Sequence, residues 1–284
     1  MKQTAFAKIN LTLEILGKNR PDGFHDIKSV MHKINLGDEI EIVPRNDGKI
    51  NLECSDKTLC STEQNLAYKA AKSYFDEYER IFSKRVGADI TVTKHTPSGA
   101  GLGGGSADAA CVIDMLLKLF PGVSDEKCDE LCALLGSDVV FCREKYTCAL
   151  CTGRGEIVTE VSGLPECFIL IAKPVESLNT AGIYSEYDKK FSDDYSKNLS
   201  DKLVLALSDG SLSDVCSHFV NDFEPICIPR LPQIQDIKNK MLSCKALASQ
   251  MSGSGSAVFG IFDSREKRDL CKYELDKMSV LTFI

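Results

Sequence analysis

The 284-residue chain has no excess of positive charge and no long apolar run, and each absence excludes a class of protein. Its formal net charge of −7 argues against a general nucleic-acid binder, because such proteins hold phosphate backbones with clustered Lys and Arg. No apolar run approaches the ~20 residues that cross a bilayer, and Lys8, Asn10 and Glu14 interrupt the first segment, where an export signal would lie. We therefore expect a cytoplasmic protein with no nucleic-acid and no membrane partner.

Paired metal-ligand spacings are also missing, although the chain contains 13 cysteines. The number is odd and the spacings are irregular, so we expect reduced thiols in the core rather than a disulfide framework. One Cys-x-x-Cys motif, Cys148 to Cys151, is typical of a redox pair or half a zinc site. No second pair and no suitably spaced His accompany it, so we assign it no function and expect no metal site built by protein ligands alone.

Length and composition indicate a two-domain globular protein. With 43% hydrophobic and 26% charged residues the cores are well filled, and about 150 residues per domain is the usual size. The pattern weakens around Gly163 and Pro165 before an apolar strand starts at Cys167. We therefore predict domains at residues 1–160 and 161–284.

The first 45 residues carry strand patterns. Odd positions from Ala5 to Ile15 are apolar while Lys8 and Asn10 share the other face, which predicts one half-buried strand. Pro and Gly predict a turn at residues 20–23, and further strands are expected at 27–34 and 38–43.

The rest of the chain mixes helices and strands without regular alternation, which predicts an α+β fold in both halves. Helices are predicted at 65–78, 106–120, 125–135, 199–207, 211–223 and 231–242, and strands at 88–93, 167–172, 257–262 and 279–283, with one more helix between the last two strands.

A glycine-rich segment from Pro97 to Ser106, P-S-G-A-G-L-G-G-G-S, is the central functional motif. Glycines let a backbone approach a phosphate, and the start of the following helix adds positive partial charge. The alternative is a flexible turn with Ser106 as a simple helix cap. Five glycines between a strand and a long apolar helix exceed what a turn needs, so we favour phosphate binding.

The surrounding pattern separates this loop from the commoner nucleotide folds. Gly99, Gly101 and Gly104 satisfy G-x-G-x-x-G, but a dinucleotide-binding unit would continue with a strand, whereas Pro121-Gly122 leads to another helix. A Walker loop would need a lysine after the glycines, and none follows.

Three separated segments together resemble a known family. Ala7-Lys8-Ile9-Asn10-Leu11, the glycine-rich loop and Met251-Ser252-Gly253-Ser254-Gly255-Ser256 are similar, in order and spacing, to the three signature motifs of the GHMP kinases. The resemblance spans essentially the whole chain and is thinner between residues 185 and 250. Asp22-Gly23-Phe24-His25 is similar to the members whose substrate is a cytidine diphosphate-linked polyol; kinases of the homoserine or mevalonate type are the alternative.

The resemblance implies a fold and a reaction. The expected fold is a two-domain GHMP kinase, with an N-terminal domain like ribosomal protein S5 domain 2 and a ferredoxin-like C-terminal domain. The expected reaction is ATP-dependent phosphorylation of a hydroxyl group on a small-molecule substrate, in a monomer or homodimer.

The resemblance also implies residue roles. Asp138 is expected to be the general base, and Lys8 to favour the ionised Asp138 and stabilise charge in the transition state. The substrate-binding residues are expected to be Asn10, Phe24, His25, Arg154 and Tyr184, with Phe24 standing where the family usually has Tyr.

The nucleotide-binding residues expected by resemblance line the loop and two flanking positions. They are Asn65, Lys94, Pro97, Ser98, Gly99, Ala100, Gly101, Leu102, Gly103, Gly104, Gly105, Ser106 and Ala107. Asn65 has the alternative role of capping the helix that follows it. Mg²⁺ is expected to accompany ATP, with Ser106 as the nearest candidate ligand.

Overall fold

A computed structural model describes residues 1–17, 24–57, 59, 62–191 and 198–284. The predicted turn at residues 20–23 lies outside these ranges. The described residues form strands β1 (Lys2–Asn10), β2 (Thr12–Gly17), β3 (Asp26–Arg45), β4 (Ile50–Cys54), β5 (Gly87–Thr93), β6 (Cys148–Thr152), β7 (Ile157–Glu160), β8 (Phe168–Pro174), β9 (Val220–Asn221), β10 (Ala248–Met251), β11 (Val258–Phe262) and β12 (Val280–Phe283).

Helices lie between these strands. They are α1 (Leu66–Phe82), α2 (Gly104–Leu119), α3 (Asp125–Leu135), α4 (Ser137–Arg143), α5 (Thr180–Lys190), α6 (Leu199–Asp209), α7 (Leu212–Ser217), α8 (Glu224–Arg230), α9 (Gln233–Ser243) and α10 (Arg265–Leu275), with a short 3-10 helix at Thr62–Gln64. No helix among the residues described has both the length and the apolar composition needed to span a membrane.

The chain forms two compact units, and each is assembled from separate segments. The first unit comprises Met1–Ala7, Asn35–Ser98 and Gly103–Lys145, and the second comprises Lys8–Ile34, Gly99–Leu102 and Tyr146–Ile284. The domains predicted from the sequence, 1–160 and 161–284, are each one continuous stretch of chain, unlike these units. That domain division stays a prediction.

In the first unit, helices cover a small mixed sheet. The second half of β3 pairs antiparallel with β5, from Glu39 opposite Thr93 onward, and β4 joins β5 in parallel. The buried faces of α1, α2 and α3 pack with this sheet, because their apolar side chains recur at helical spacing. The resulting core includes Tyr74, whose hydroxyl donates to the Phe120 carbonyl at 2.8 Å.

In the second unit, β10, β11, β8 and β12 form an antiparallel sheet in that order. Helix α9 contributes Ile234, Ile237 and Met241 to the core of this unit, and α10 contributes Cys271 and Leu275. Elsewhere in the same unit, β2 pairs with the first half of β3, β3 with β6, and β2 in parallel with β9.

The predicted single strand from Ala5 to Ile15 is wrong in two respects. It is two strands, because β1 ends at Asn10 and β2 begins at Thr12. It is also not half-buried, since Lys8, Asn10 and Thr12 are at most 3% exposed. The polar side chains form hydrogen bonds with one another and with neighbouring segments rather than with solvent. The alternation of apolar and polar residues therefore did not mean that the polar face is exposed.

Two further predictions need correction. The strands expected at 27–34 and 38–43 are parts of the continuous strand β3. The helix expected at 211–223 ends at Ser217, and the chain then forms β9. The Asp222 N–H donates to the Leu13 carbonyl in β2. Strand pairing with β2 therefore takes the place of the intrahelical hydrogen bonds that a longer helix would form.

Candidate active site

Lys8 and Asn10 lie next to each other on β1, as their spacing predicts. The Lys8 ammonium donates to Asn10 Oδ1 at 2.7 Å, and Asn10 Nδ2 donates to the Ser29 hydroxyl at 2.8 Å. The Ser29 hydroxyl in turn donates to the Thr12 carbonyl at 2.5 Å. This chain of bonds orients both predicted side chains, which are 3% and 2% exposed.

The first part of the glycine-rich loop, Gly99–Leu102, lies beside this strand in the second unit. The Lys8 N–H donates to the Leu102 carbonyl at 2.9 Å. Gly101 has φ +75°, and a Cβ there would fall 2.1 Å from the Ser252 carbonyl oxygen. Glycine is therefore required here by the backbone itself, because a side chain would clash whether or not a ligand is bound.

Ser252, in the second glycine-rich segment, links all three sequence motifs. Its fully buried hydroxyl accepts from the Asn10 N–H at 3.2 Å and donates to the Gly101 carbonyl at 3.0 Å. One hydroxyl thus fixes the end of β1 against both glycine-rich segments.

Asn221 holds that second segment and was missed by the sequence analysis. Its Nδ2 donates to the carbonyls of Met251 and Gly253, both at 2.8 Å, and its Oδ1 accepts from the Phe223 N–H at 2.9 Å. A lone Asn near the end of the segment predicted as a helix at 211–223 carries no signal of such long-range bonds, so only the fold reveals this role.

The second part of the loop begins helix α2 in the first unit. The helix starts at Gly104, with Gly103 as N-cap at φ +67°, so Ser106 lies in the first turn and is not the cap. The first intrahelical bond runs from the Ala107 N–H to the Gly103 carbonyl. The preceding N–H groups have no intrahelical acceptor and, together with the helix dipole, favour an anion.

Lys94 lies in a buried cluster just before the loop. Its ammonium bonds to Asp38 and, at 2.7 Å, to Asp108, and its side chain is 7% exposed. Asp38 also accepts the N–H groups of His95 and Thr96 at 2.6 and 2.7 Å, which fixes the chain as it enters the loop. The role of Lys94 in nucleotide binding stays a prediction, and the two carboxylates were missed.

Burial and the neighbouring charges together set the pKa values of this cluster. Burial raises the pKa of Asp108 to about 7, although the positive charge of Lys94 opposes the shift. For Lys94 burial alone would lower the pKa, but Asp108 and Asp38 outweigh it and raise the value. The Asp108 Oδ1 and the Thr96 hydroxyl oxygen are buried without a hydrogen-bond partner.

Two other predicted nucleotide-binding residues make structural bonds. Asn65 caps α1, because its Oδ1 accepts the Ala67 N–H at 2.9 Å. The Ser98 hydroxyl donates to Asp56 at 2.9 Å. Neither bond tests their predicted role with ATP.

Asp138 lies in the first turn of α4, half-buried, where the helix dipole stabilises a carboxylate. It follows Gly136, which ends α3 as the sequence predicts and also precedes α4. Asp138 belongs to the first unit and Lys8 to the second.

The residues predicted to bind the substrate base lie together in the second unit. The His25 ring packs on Tyr184 with 5.0 Å between ring centroids, and Tyr184 meets the buried Phe223 edge-on. Phe24 is 55% exposed, with the Arg154 guanidinium carbon 5.1 Å from its ring centroid. Exposed and half-buried aromatic faces beside an imidazole suit a flat heterocycle.

The residues at the start of α2 fit the phosphate groups of a nucleoside triphosphate. The start of α2 offers N–H donors, and an added Cβ at the exposed Gly105 would meet only Leu66, at 3.7 Å. Among the side chains that the structure places, no group of three or more His, Cys, Asp or Glu is arranged to hold a metal ion. The Ser106 hydroxyl suits Mg²⁺ that arrives with phosphate oxygens, since this ion keeps several waters.

The cysteines of the described ranges are thiols and form no disulfide with one another. Cys148 and Cys151 are buried on β6, and burial raises the pKa of Cys148 to about 12. A thiol held in its neutral form is a poor nucleophile, which disfavours a redox role.

Comparison with known families gives two matches. Residues 65–143 match the GHMP kinases N terminal domain, and residues 207–279 match the GHMP kinases C terminal domain. The first match includes the whole glycine-rich loop and Asp138, and the second includes Asn221 and Ser252.

Individual proteins match over nearly the whole chain. A 4-diphosphocytidyl-2-C-methyl-D-erythritol kinase of Acaryochloris marina is 37% identical, covering 95% of this chain and 89% of the relative. The enzyme of the same name from Clostridium beijerinckii is 36% identical, covering 100% of this chain and 99% of the relative. A crystal structure of 4-(cytidine 5'-diphospho)-2C-methyl-D-erythritol kinase superposes with a TM-score of 0.80 at 26% identity, covering 99% of this chain and 98% of that one.

Proposed function

Because the chain belongs to the 4-diphosphocytidyl-2-C-methyl-D-erythritol kinases of the GHMP family, we propose that it phosphorylates the 2-hydroxyl of 4-diphosphocytidyl-2-C-methyl-D-erythritol with ATP. The products are the 2-phosphate and ADP, in the non-mevalonate route to isoprenoid precursors. The observation that carries the proposal is the bond from the Lys8 N–H to the Leu102 carbonyl, because it joins the backbone of a buried lysine to the glycine-rich loop.

The transfer step uses Asp138 and Lys8. The substrate oxygen forms a bond to the γ-phosphorus of ATP while the bond from that phosphorus to the β,γ-bridging oxygen breaks, and ADP leaves. Asp138 takes the hydroxyl proton, and the Lys8 ammonium offsets negative charge on the moving phosphoryl group. Asn10 orients Lys8 through the 2.7 Å bond between their side chains.

The phosphates bind where the loop becomes helix α2. The N–H groups of Gly104, Gly105 and Ser106 precede the first intrahelical bond and donate to phosphate oxygens. Ser106 would be the protein ligand for Mg²⁺ that arrives with ATP, and the ion would supply charge neutralisation when bound. Asn65 and Lys94 line the adenine pocket.

The cytidine group binds at the aromatic cluster of the second unit. Phe24 and Tyr184 provide faces for stacking, His25 meets the polar edge of the base, and Arg154 offsets the diphosphate charge. This role for His25 separates the proposal from kinases of the homoserine and mevalonate type, whose substrates carry no base.

An ATP-consumption assay tests the assignment. The cytidyl substrate, mevalonate and homoserine are supplied in parallel to the wild type, Asp138→Asn and Lys8→Ala, with the exposed Asp209→Asn and Lys202→Ala as matched controls. We expect turnover of the cytidyl substrate alone, with kcat lowered about 10²-fold to 10⁴-fold in the two site variants. Turnover of mevalonate alone, or full activity in Asp138→Asn, would refute the proposal.

A further inference from the structure

The His25 ring is held by a carboxylate that the proposed transfer does not use. Asp188, on α5, places Oδ1 at 2.5 Å from His25 Nε2. The two side chains are 6% and 22% exposed, so the pair is largely shielded from water. A carboxylate ion can only accept a hydrogen bond, and therefore the proton in this bond belongs to Nε2.

This bond decides what the other ring nitrogen can do. A neutral imidazole has one donor and one acceptor nitrogen, so a proton held on Nε2 leaves a lone pair on Nδ1. Tyr184 packs on the ring at 5.0 Å between centroids and 37° between planes, which restricts rotation that would exchange the two nitrogens. Asp188 thus fixes both the orientation and the tautomer of His25.

An acceptor at this position distinguishes the two pyrimidine bases. Cytosine carries an exocyclic amino group that donates, whereas a carbonyl oxygen takes that place in uracil and can only accept. A lone pair on Nδ1 pairs with the amino group and repels the carbonyl oxygen. We propose that Asp188 is a positioning residue that sets the preference for cytosine over uracil by holding the proton on Nε2 of His25.

The inference rests on the proposed function, since it takes His25 to meet the edge of the base. A purely structural pairing between α5 and the residue that precedes β3 would also explain the short contact. The two roles differ in one measurable respect. Loss of a structural pairing weakens the binding of both bases equally, whereas loss of the tautomer changes the ratio of their affinities.

The experiment measures that ratio by calorimetric titration of the full chain. Cytidine 5′-diphosphate and uridine 5′-diphosphate are titrated separately in saturating ADP, which occupies the ATP site. The variants are Asp188→Asn, whose amide can donate to Nε2 as well as accept from it, and Asp188→Glu, which restores a carboxylate. The control Glu186→Gln alters a carboxylate of the same helix that pairs with Arg230.

We expect the wild type to prefer the cytidine nucleotide and Asp188→Asn to lose about tenfold of that preference, roughly the effect of one mispaired polar contact. Asp188→Glu should retain most of the preference, and Glu186→Gln all of it. An Asp188→Asn ratio within about twofold of the wild type, or an equal loss for both nucleotides, would overturn the inference alone. A wild type that binds neither nucleotide would overturn the proposed function and the inference with it.

Discussion

Among single residues, Asp108 is a buried carboxyl group whose ionisation is opposed by its surroundings. It shares the Lys94 ammonium with Asp38, so that one positive charge faces two buried carboxylates. One ammonium group can neutralise the charge of only one carboxylate. Burial therefore raises the pKa of Asp108 to about 7. Near neutral pH the folded protein therefore holds a proton that the unfolded chain has already released.

The first prediction concerns Asp108→Asn. The pKa of Asp108 in the folded state lies above its ordinary value of 3.8, so its stabilising contribution is fully present below that value and is lost as pH rises through about 7. Asp108→Asn has no carboxyl group at this position, so it does not lose this contribution to stability as the pH rises. Between about pH 5.5 and about pH 8, urea unfolding should show the wild type losing about 2 kcal/mol relative to Asp108→Asn.

The matched control is Glu130→Gln, which alters a carboxylate that pairs with Lys127 at 2.7 Å but is 64% exposed. Its difference from the wild type should stay constant over the same range, since an exposed pair is well solvated. A constant difference for Asp108→Asn as well would show that Asp108 does not titrate between about pH 5.5 and about pH 8 in the folded protein, which contradicts a pKa of about 7.

Among the elements, β9 is only two residues long, yet it fixes the second glycine-rich segment. Asn221 satisfies three backbone groups on two segments, and it is 4% exposed, so water cannot replace it. Asn221→Ala should lower the free energy of unfolding by about 3 kcal/mol, because three buried backbone groups lose their partner. Urea denaturation measures the change.

The control for this variant removes the same side chain from an exposed position. Asn239 accepts from Gln235 on α9, and Asn239→Ala should cost less than about 0.5 kcal/mol. Equal losses in the two variants would mean that the bonds of Asn221 to Met251 and Gly253 contribute nothing specific.

The helices and strands that the sequence predicted correctly are those with local signals. Helix α1 after Asn65, β5, and α3 up to Gly136 were predicted correctly, because caps, glycines and apolar spacing act within a few residues. Helix α5 was not predicted. Its buried positions Ile183 and Tyr187 are too few to produce a clear helical pattern, and the packing that stabilises it comes from distant residues.

The candidate site divides in the same way. The glycine-rich loop with Lys8 was found because its chemistry is local and its resemblance to a family is specific. Asp38, Asp188 and Asn221 were missed, because their partners lie 56, 163 and 30 residues away along the chain. Nothing in the immediate sequence of Asp188 or Asn221 distinguishes them from ordinary surface polar residues, and the segment around Asp38 gave no sign of its bond to Lys94.

For the molecule as a whole, the order of chain segments predicts how it unfolds. Strand β3 supplies residues to both units, and the two units alternate along the chain from Met1 to Tyr146. Unfolding of either unit would remove half of a continuous strand on which the other depends. We therefore expect the two units to unfold together in one cooperative transition.

Buried thiols report this transition separately in each unit. Cys132 lies in the core of the first unit and Cys271 in that of the second, and burial raises the pKa of each to about 12. Native protein at about pH 8 should therefore label slowly at both positions, whereas guanidinium-unfolded protein should label at all 13 cysteines. At urea concentrations below the unfolding midpoint, peptide mass spectrometry should find that Cys132 and Cys271 are labelled at rates equal within about twofold. Labelling of one cysteine more than about tenfold faster would show that its unit opens alone, and that the shared strand does not couple them.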